Sequence, residues 1–467
     1  MYIEIDTGKV NGLTDAERAD LHELITIHDD HRDANAQKER YYEGKISLNE
    51  VNLGIALPEG LRGLEIGCAW GAKTVDVLAA RSMFDGFVGI NGEDVEELDR
   101  IVDANDLIAE YMKAARDELK FGCCFATLSG DAKIGCKIRF HSPRTAAAKW
   151  DGEKGRISSG LAIIDTAPTY RDPQVIRPSI VNYYNDVAVI VLQRSGDTWT
   201  ATKYPHRMGR PLMEPLIWNA TSCKPFGRSR IKEPIRRLIQ GYVRTIANAT
   251  IGLEFSTSPQ KYLLGVTDEQ YDAVVNQKFK QYVGNIIAST VNPETGEKPT
   301  FGQLQQGNIA PHVEMVRLLA TQFSAATGLT VSDVGVVNDA NPTSSDAILA
   351  QSQTLVGMAE QMNAGNGNSL RTIALMAMAI VNKTTVDALT DEQKDIVAHF
   401  KNPAMPSVAV TADAAIKIAS ARPGFAQTDV FAEMLGFSKA DIRRIKAQET
   451  RARGLSVLEE IKISGEA

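Results

Sequence analysis

The chain has 467 residues, of which 43% are apolar and 23% charged, values ordinary for a soluble folded protein. Its length is too great for one compact core and predicts about three units. The net charge of −7 excludes tight wrapping of nucleic acid, which needs many Lys and Arg to replace phosphate counterions. The five cysteines are scattered, which is typical of a protein in a reducing compartment. We find no signal peptide, and no apolar run approaches the ~20 residues that a membrane span requires. These features predict a soluble cytosolic protein.

The first predicted element is a helix over residues 14–45. Thr14 opens it, and Glu17 follows at the spacing of a capping box. His28 and His31 within this helix have an i,i+3 spacing that can suggest a metal site. Because no third ligand cluster lies nearby, we expect a charged, solvated helix face there instead.

The segment LEIGCAWGAKTV at 64–75 carries two glycines and leads into a helical pattern. Together with FVGINGED at 87–94, which ends in a candidate ribose-binding acid, it resembles the motifs of an S-adenosylmethionine-dependent methyltransferase. However, Ala69 replaces the middle glycine, Trp70 is bulky, and the strand–helix alternation of a doubly wound sheet does not continue. A helix start after a tight turn is favoured, and the methyltransferase is the alternative.

Periodicity then predicts helices followed by a β region. Apolar residues repeat at helical spacing through Trp70–Phe87 and form one stripe through Glu93–Phe121, where Gly122 ends the helix. From Cys123 to Trp218 the period changes to two, and short apolar runs alternate with Gly, Asp and Pro turns. We therefore expect antiparallel strands in this region.

The second half begins with a long helix over Pro225–Phe255, which has one apolar stripe and regular hydrogen bonding from about Pro234 onward. An α/β insert over 266–310 contains the hairpin turn PETGE. A second helix over 311–327 has proline in its first turn and Gly328 just after its end.

The segment 328–343 lacks helical periodicity, and a helix is predicted to begin at Thr343. The sequence NAGNGN at 363–368 predicts a break before a further helix that begins at Ser369. From about residue 411 two or three short helices follow, the last of them strongly basic.

Catalytic motifs are missing from the sequence. The seven histidines are dispersed, and no G-x-S-x-G elbow, Walker loop or H-E-x-x-H motif occurs. Acids at a helix start, such as Asp94 and Glu97, fit the helix dipole. The chain is therefore predicted not to be an enzyme, and neither a metal nor a cofactor is expected.

Local strings along nearly the whole chain resemble the portal proteins of tailed bacteriophages, specifically the long-tailed siphophage type. The most specific are SPQKYLLG at 258–265 and NPTSSDAILAQSQTLVGMAE at 341–360. The others are YYEGKISL at 41–48, AKTVDVLAARSMFDGF at 72–87, DANDLIAEYMKAARDELKFGCCF at 103–125, PFGRSRIKEPIRRLI at 225–239, TADAAIKI at 411–418 and LGFSKADIRRI at 435–445. The departures from the family pattern, GCAWGA at 67–72 and GLTVSDVGVV at 328–337, concern a turn and a loop.

The resemblance implies an α+β portal fold with a wing of helices and antiparallel β structure, a helical stem, a small α/β clip and a helical crown. The apolar sides of the stem helices are expected to pack against adjacent copies. The implied regions are the N-terminal wing at 1–224, the first stem helix at 225–265, the clip at 266–310, the second stem helix at 311–327, the tunnel loop at 328–343, the wing helices at 344–410 and the crown at 411–467.

The function implied by the resemblance is structural. Twelve copies would form a head–tail connector ring at the capsid vertex, through which double-stranded DNA is packaged and later ejected. The implied partners are the terminase large subunit, a head-completion (adaptor) protein, and the major capsid and scaffolding proteins, with no membrane. The implied location is the virion, after assembly in the host cytoplasm.

Three sets of residues are candidates for functional contacts. The stem basic face, near DNA or near acids of the next subunit, comprises Arg228, Arg230, Lys232, Arg236, Arg237 and Arg244, and a solvated face is its alternative. The tunnel-loop set, which has no cation and so should touch DNA only weakly, comprises Asp333, Val336, Val337, Asn338, Asp339 and Asn341. The clip docking turn, for the motor and then the head-completion protein, comprises Pro293, Glu294, Thr295, Gly296 and Glu297.

The three interpretations predict different behaviour in solution. A portal protein forms a ring of very large mass, whereas a methyltransferase would be a monomer or dimer that binds S-adenosylmethionine. A third possibility is a monomeric nucleic-acid-binding module that uses the basic patch at 228–244, and it predicts steeply salt-dependent DNA affinity.

Replacing Asn338 by Lys in the tunnel loop is expected to slow DNA passage, because the new cation would hold passing phosphates. The DNA packaging rate measures this effect, and Asn338→Gln is the matched neutral control. An unchanged rate in Asn338→Lys would contradict the predicted weak contact.

Overall fold

The computed structural model describes residues 2–3, 5–47, 65–89, 95–166, 175–196, 198–257, 261–264, 296, 300–303, 308–335, 345–404, 408–437 and 439–465. Helices and mostly antiparallel strands build this part of the chain, which makes the fold α+β, as predicted. No helix within these residues has the length and apolarity needed to cross a membrane.

The strands of the described residues form two larger sheets and several two-stranded pairs. They are β1 (Tyr2–Ile3), β2 (Val10–Asn11), β3 (Lys45–Ser47), β4 (Glu65–Gly67), β5 (Phe84–Gly89), β6 (Cys123–Asp131), β7 (Gly135–His141), β8 (Ala146–Asp151), β9 (Arg156–Thr166), β10 (Val175–Ile176), β11 (Pro178–Tyr184), β12 (Ala188–Ser195), β13 (Thr198–Pro205), β14 (Met213–Ile217), β15 (Lys261–Leu264), β16 (Thr300–Gln303) and β17 (Ile396–Phe400). The six-stranded sheet has the order β2-β13-β12-β11-β9-β8, and the three-stranded sheet has the order β14-β6-β7. Neighbours from β6 to β14 pair antiparallel, which confirms the predicted β region.

The α-helices of the described residues range from 4 to 37 residues in length. They are α1 (Asp15–Tyr42), α2 (Trp70–Ala79), α3 (Glu96–Ala104), α4 (Leu107–Phe121), α5 (Glu233–Thr257), α6 (Ala310–Thr327), α7 (Ser345–Val381), α8 (Asp391–Lys394), α9 (Val408–Ala421), α10 (Asp429–Met434) and α11 (Lys439–Gly465).

Helix α1 begins as the sequence predicts. The N–H of Thr14 donates to Glu17 Oε2 at 2.8 Å, and the N–H of Glu17 donates to Thr14 Oγ1 at 3.3 Å, which completes the capping box. The expectation of a solvated face is wrong at His28, which is 3% exposed. Its Nε2 lies 2.9 Å from the carbonyl oxygen of Arg144, so this histidine fixes α1 on the β region.

Two helices predicted in the first half are divided. The helix predicted over Trp70–Phe87 ends at Ala79, and β5 follows it, because β17 from the C-terminal part of the chain supplies an antiparallel partner. The helix predicted over Glu93–Phe121 is α3 followed by α4, separated by Asp106 in the left-handed conformation with φ 48°. Both helices keep the predicted apolar stripe buried.

The two predicted stem helices correspond to α5 and α6, which pack on each other. The predicted range 225–265 is wrong for the first, because α5 covers only Glu233–Thr257 and Lys261–Leu264 forms β15. Helix α5 begins at Glu233, so Pro234 lies in its first turn, where the missing N–H costs no helical hydrogen bond. Helix α6 ends at Gly328, whose φ of 73° suits glycine. The predicted hairpin turn lies outside the described residues except for Gly296, and β16 pairs with β15 in the described part.

One hydrophobic core continues from α2 and α4 into α5 and α6. The ring centroid of Trp70 lies 4.5 Å from that of Tyr242 on α5 and 4.7 Å from that of Phe323 on α6. The α5 stripe is buried at Ile235 and Ile239 within this core. The apolar side of α5 therefore packs inside its own chain at these positions. The expectation that this side packs against adjacent copies is wrong for these residues.

The predicted break at 363–368 is wrong, because α7 is one continuous helix of 37 residues. Asn363 Oδ1 accepts a hydrogen bond from Ser82 Oγ at 2.6 Å. Asn366 Nδ2 donates to Tyr111 Oη at 3.0 Å and to Glu118 Oε2 at 2.7 Å. These hydrogen bonds tie Asn363 and Asn366 to other elements of the fold, so these asparagines do not turn the backbone here. The predicted start of this helix at Thr343 lies outside the described residues.

The C-terminal region begins with α9, close to the predicted boundary, and continues with α10 and α11. Helix α11 has 27 residues, so the last helix is long rather than short. Arg443 on α11 forms an ion pair with Asp99 on α3 at 2.5 Å, which ties this region to the first half of the chain.

Replacing Glu118 by Gln is expected to raise the free energy of unfolding at pH 8. Burial raises the pKa of Glu118 to about 8, from an ordinary value of 4.5. As pH rises from 4.5 to 8, the unfolded chain releases this proton while the folded chain retains it, so the wild type loses stability over that window. The gain at pH 8 should reach a few kcal/mol, since one pKa unit equals about 1.4 kcal/mol.

Denaturant unfolding of the full chain at pH 5 and pH 8 measures this difference. Glu110→Gln on the same helix is the control, because Glu110 is only paired at the surface with Lys113 and should leave the pH dependence unchanged. An equal difference between Glu118→Gln and wild type at both pH values would contradict the buried, protonated state.

Candidate functional site

The glycine-containing segment at 64–75 does not form a nucleotide-binding unit. Strand β4 pairs antiparallel with β3 in a two-stranded sheet, whereas a βαβ unit requires parallel neighbours. A Cβ added at Gly71 would lie 2.0 Å from the carbonyl oxygen of Tyr41, so this glycine lets α2 approach the end of α1. Asp94 lies outside the described residues. The segment therefore serves packing, and the methyltransferase interpretation loses its structural basis.

Arg230 does not lie on the predicted stem basic face, because its side chain is buried. Its side chain is 8% exposed and lies before α5 begins. Its Nε donates to the carbonyl oxygen of Thr74 at 2.7 Å, and its Nη2 donates to that of Thr327 at 2.7 Å. Burial lowers the pKa of Arg230 to about 10, which leaves the guanidinium charged at neutral pH. Arg230 is thus a structural cation that joins α2 to the end of α6.

Three other members of the predicted set, Arg228, Lys232 and Arg236, line a concave cleft together with cations from elsewhere in the chain. The cleft has a volume of about 590 Å³ and opens between α1, β8 and the segment that leads into α5. We define the basic cleft by its five cationic residues, Lys38, Lys224, Arg228, Lys232 and Arg236.

The floor of the basic cleft is apolar, and its cations have few partners. Phe121, Phe125 and Phe226 are among the residues that line it, and no Asp or Glu is among its described lining residues. Arg236 donates to the side chain of Gln37 rather than to a carboxylate. The combination of apolar floor and cationic walls suits an anionic group attached to an apolar body.

Lys38 is the most deeply placed of these cations. Its Nζ donates to Asn35 Oδ1 at 3.1 Å and to the carbonyl oxygen of Phe121 at 3.0 Å. Burial lowers the pKa of Lys38, and the nearby Arg236 and Lys224 also lower it. A carboxylate entering the cleft would oppose these effects and stabilise the charged amine.

The remaining predicted stem cations lie on other parts of α5. Arg237 forms a surface ion pair with Glu233 at 3.2 Å, which contributes little to stability. Arg244 is half-buried on the same helix. The predicted stem basic face is therefore not one surface, since its members divide between the basic cleft, a buried site and the exposed side of α5.

Helix α6 has an apolar surface that the fold leaves exposed. Leu318 is 52% exposed and Met315 is 44% exposed, at i,i+3 spacing on one side of the helix. Leu319, Ala320 and Phe323, which lie on an adjacent side of the helix, are buried in the core. This second, exposed apolar side is available for contact with another chain.

Most of the tunnel-loop set lies outside the described residues, which include only Asp333 among its members. Asp333 is held locally, because its Oδ2 accepts hydrogen bonds from the N–H of Thr330 at 3.0 Å and from Thr330 Oγ1 at 2.8 Å. Of the clip docking turn, Gly296 alone is described, and its φ of 65° suits a turn.

Sequence reasoning missed the basic cleft because its cations come from distant segments. Arg236 and its partner Gln37 lie 199 positions apart in the sequence. Composition and periodicity carry no signal for such a pairing. The predicted stem basic face contains three of the five cleft cations, Arg228, Lys232 and Arg236, but the sequence does not distinguish them from the buried Arg230.

A family model described as "Phage portal protein, SPP1 Gp6-like" matches residues 21–454 of the chain. Among solved structures, "Virion of native gene transfer agent (GTA) particle" contains a similar chain with 12% identity and a TM-score of 0.44, covering 79% of this chain and 89% of that chain. A chain in "Neck of native GTA particle computed with C12 symmetry" has 12% identity and a TM-score of 0.45, with coverage of 79% and 89%. No curated protein matches the chain.

Proposed function

The chain belongs to the SPP1 Gp6-like family of phage portal proteins, and we propose from that membership that it assembles into a ring around a channel for double-stranded DNA. Its role is structural, as a portal protein, and the family is not an enzyme family. The observation that carries the proposal is the family match over residues 21–454, a range that includes both α5 and α6. The resemblance implies a ring of twelve copies.

The exposed apolar side of α6 supports assembly. A helix that packs in the core on one side and exposes Met315 and Leu318 on the other has two apolar surfaces, and only one is used within the chain. In a ring, the second surface can be buried against the stem of the adjacent copy. Contact between copies thus involves α6, while α5 contributes its apolar stripe to its own chain.

The regions of the proposed portal follow the structural elements. The N-terminal wing would run to residue 224, the stem would consist of α5 and α6, and the clip would lie between them at 266–310. The tunnel loop would follow α6, α7 would be the wing helix, and the crown would begin with α9. The tunnel-loop residues at 336–341 are proposed to contact DNA only weakly, since they carry no cation.

We place the ring at the portal vertex of the virion, where it would connect head and tail, after assembly in the host cytoplasm. Its proposed partners are the terminase large subunit during packaging, the head-completion protein afterwards, and the major capsid and scaffolding proteins during assembly. The polar clip turn at 293–297 is the proposed docking surface for the first two.

Deleting residues 293–296 should abolish docking of the packaging motor while rings remain intact, because the turn is polar and its removal takes no side chain from the described core. Pull-down of the terminase large subunit with purified rings measures docking. Normal docking by intact rings of the deletion variant would remove the assignment of this turn.

Replacing Leu318 by Glu should prevent ring formation without unfolding the chain, since it places a charge on the exposed side of α6 that faces the adjacent copy. Light scattering gives the mass of the assembly, and circular dichroism confirms folding. Val187→Glu is the matched control, because Val187 is 64% exposed in a turn of the β region. A wild-type chain that stays monomeric at all concentrations would overturn the portal assignment.

A further inference from the structure

We propose that the basic cleft receives an acidic corner of the adjacent copy, and that this contact joins neighbouring wings in the ring. We define the acidic corner as Asp103, Asp106, Ile108 and Met112, at the junction of α3 and α4. The inference rests on the proposed ring and deepens it, because it names the two surfaces that meet.

The basic cleft has the properties of an unfilled binding site. Within the described part of the chain, no carboxylate forms an ion pair with Lys224, Arg228 or Lys232, although their side chains surround one recess. The chain as a whole carries a net charge of −7, so this concentration of cations runs against its composition. The aromatic floor adds a requirement for an apolar group beside the anion.

Duplex DNA fits this recess poorly. Phosphates lie on the outside of a duplex, where cations on a flat or convex surface reach them, and they bring no apolar group to an aromatic floor. A protein segment that carries both carboxylates and aliphatic side chains meets both requirements. The cleft is therefore assigned to protein rather than to nucleic acid.

The acidic corner supplies the complementary chemistry. Asp106 has the left-handed conformation, and its side chain makes no capping bond to α4, so the carboxylate is not engaged by its own helix. Within the described residues Asp103 also pairs with no cation. Beside these two carboxylates, Ile108 and Met112 are each 40% exposed at i,i+4 spacing, which places them together on one side of α4.

The two surfaces lie on different sides of the molecule. Phe121, in the floor of the basic cleft, and Met112, in the acidic corner, both belong to α4. They are nine positions apart, and at about 100° per residue they project from opposite sides of the helix. A contact between two different surfaces is heterologous, and such contacts propagate around a ring when the rotation closes.

Cross-linking tests the proposed contact directly. Cys223, next to Lys224, is exposed, whereas the other four cysteines are buried. Ala109→Cys adds a second exposed thiol between Ile108 and Met112 without removing either. With a short bismaleimide, assembled Ala109→Cys protein should give a ladder of covalent multimers on a denaturing gel.

Two controls accompany the cross-linking. The ladder should disappear when Cys223→Ser is added, and Val187→Cys, at an exposed site in the β region, should give none. Wild-type rings combined with no ladder from Ala109→Cys would overturn the inference and leave the ring intact. A wild-type chain that forms no rings would overturn the proposed function itself.

Charge reversal provides the second test. Arg228→Glu with Lys232→Glu should weaken each contact between copies by about tenfold, or about 1.4 kcal/mol, and so lower the fraction of chain in rings. Adding Asp103→Lys to the same chain should restore rings, because the new lysine can pair with the two introduced glutamates of the adjacent copy. If the triple variant folds but forms no rings, the proposed contact is wrong. If the double variant still forms rings but packages DNA more slowly, the cleft binds another ligand.

Discussion

The buried guanidinium of Arg230 is the interaction on which the arrangement of the chain depends. It donates to the carbonyl oxygens of Thr74 on α2 and Thr327 at the end of α6, and Nη1 lies 3.2 Å from the sulfur of Met358 on α7. Three helices from distant parts of the sequence therefore meet at one charge. A buried cation with this many fixed partners constrains geometry strongly, because moving any partner leaves the charge unsatisfied.

Around this point the helices approach each other closely. Gly71 allows α2 to reach the end of α1, and Trp70 beside it fills the space between α5 and α6. Helices α5 and α6 thus share one core with α2, α4 and the strands β6 and β14. Because this core is continuous and closely packed, a displacement of α5 or α6 is carried directly into α2 and the β region.

The surfaces that remain after this core is built are those suited to assembly. Helix α6 exposes Met315 and Leu318 beside its buried side, and the basic cleft gathers cations in a chain of net negative charge. Within the described residues of one copy, Lys224, Arg228 and Lys232 form no ion pair with a carboxylate. The proposed ring would give both surfaces partners, so membership of a portal family and the physical chemistry of the single chain favour the same assembly.

Local sequence determined most of the elements. The capping box at Thr14, the alternation between Cys123 and Trp218, and the proline and glycine that bound α6 each act within a few residues, so pattern alone located them. Tertiary structure decided two features that local patterns could not. Helix α7 continues through 363–368, where Ser82 and Glu118 bond to Asn363 and Asn366, and β5 is a strand because β17 pairs with it. Tertiary structure also decided that Arg230 is structural while its neighbours line a cleft, since the role of a cation is set by partners more than a hundred positions away.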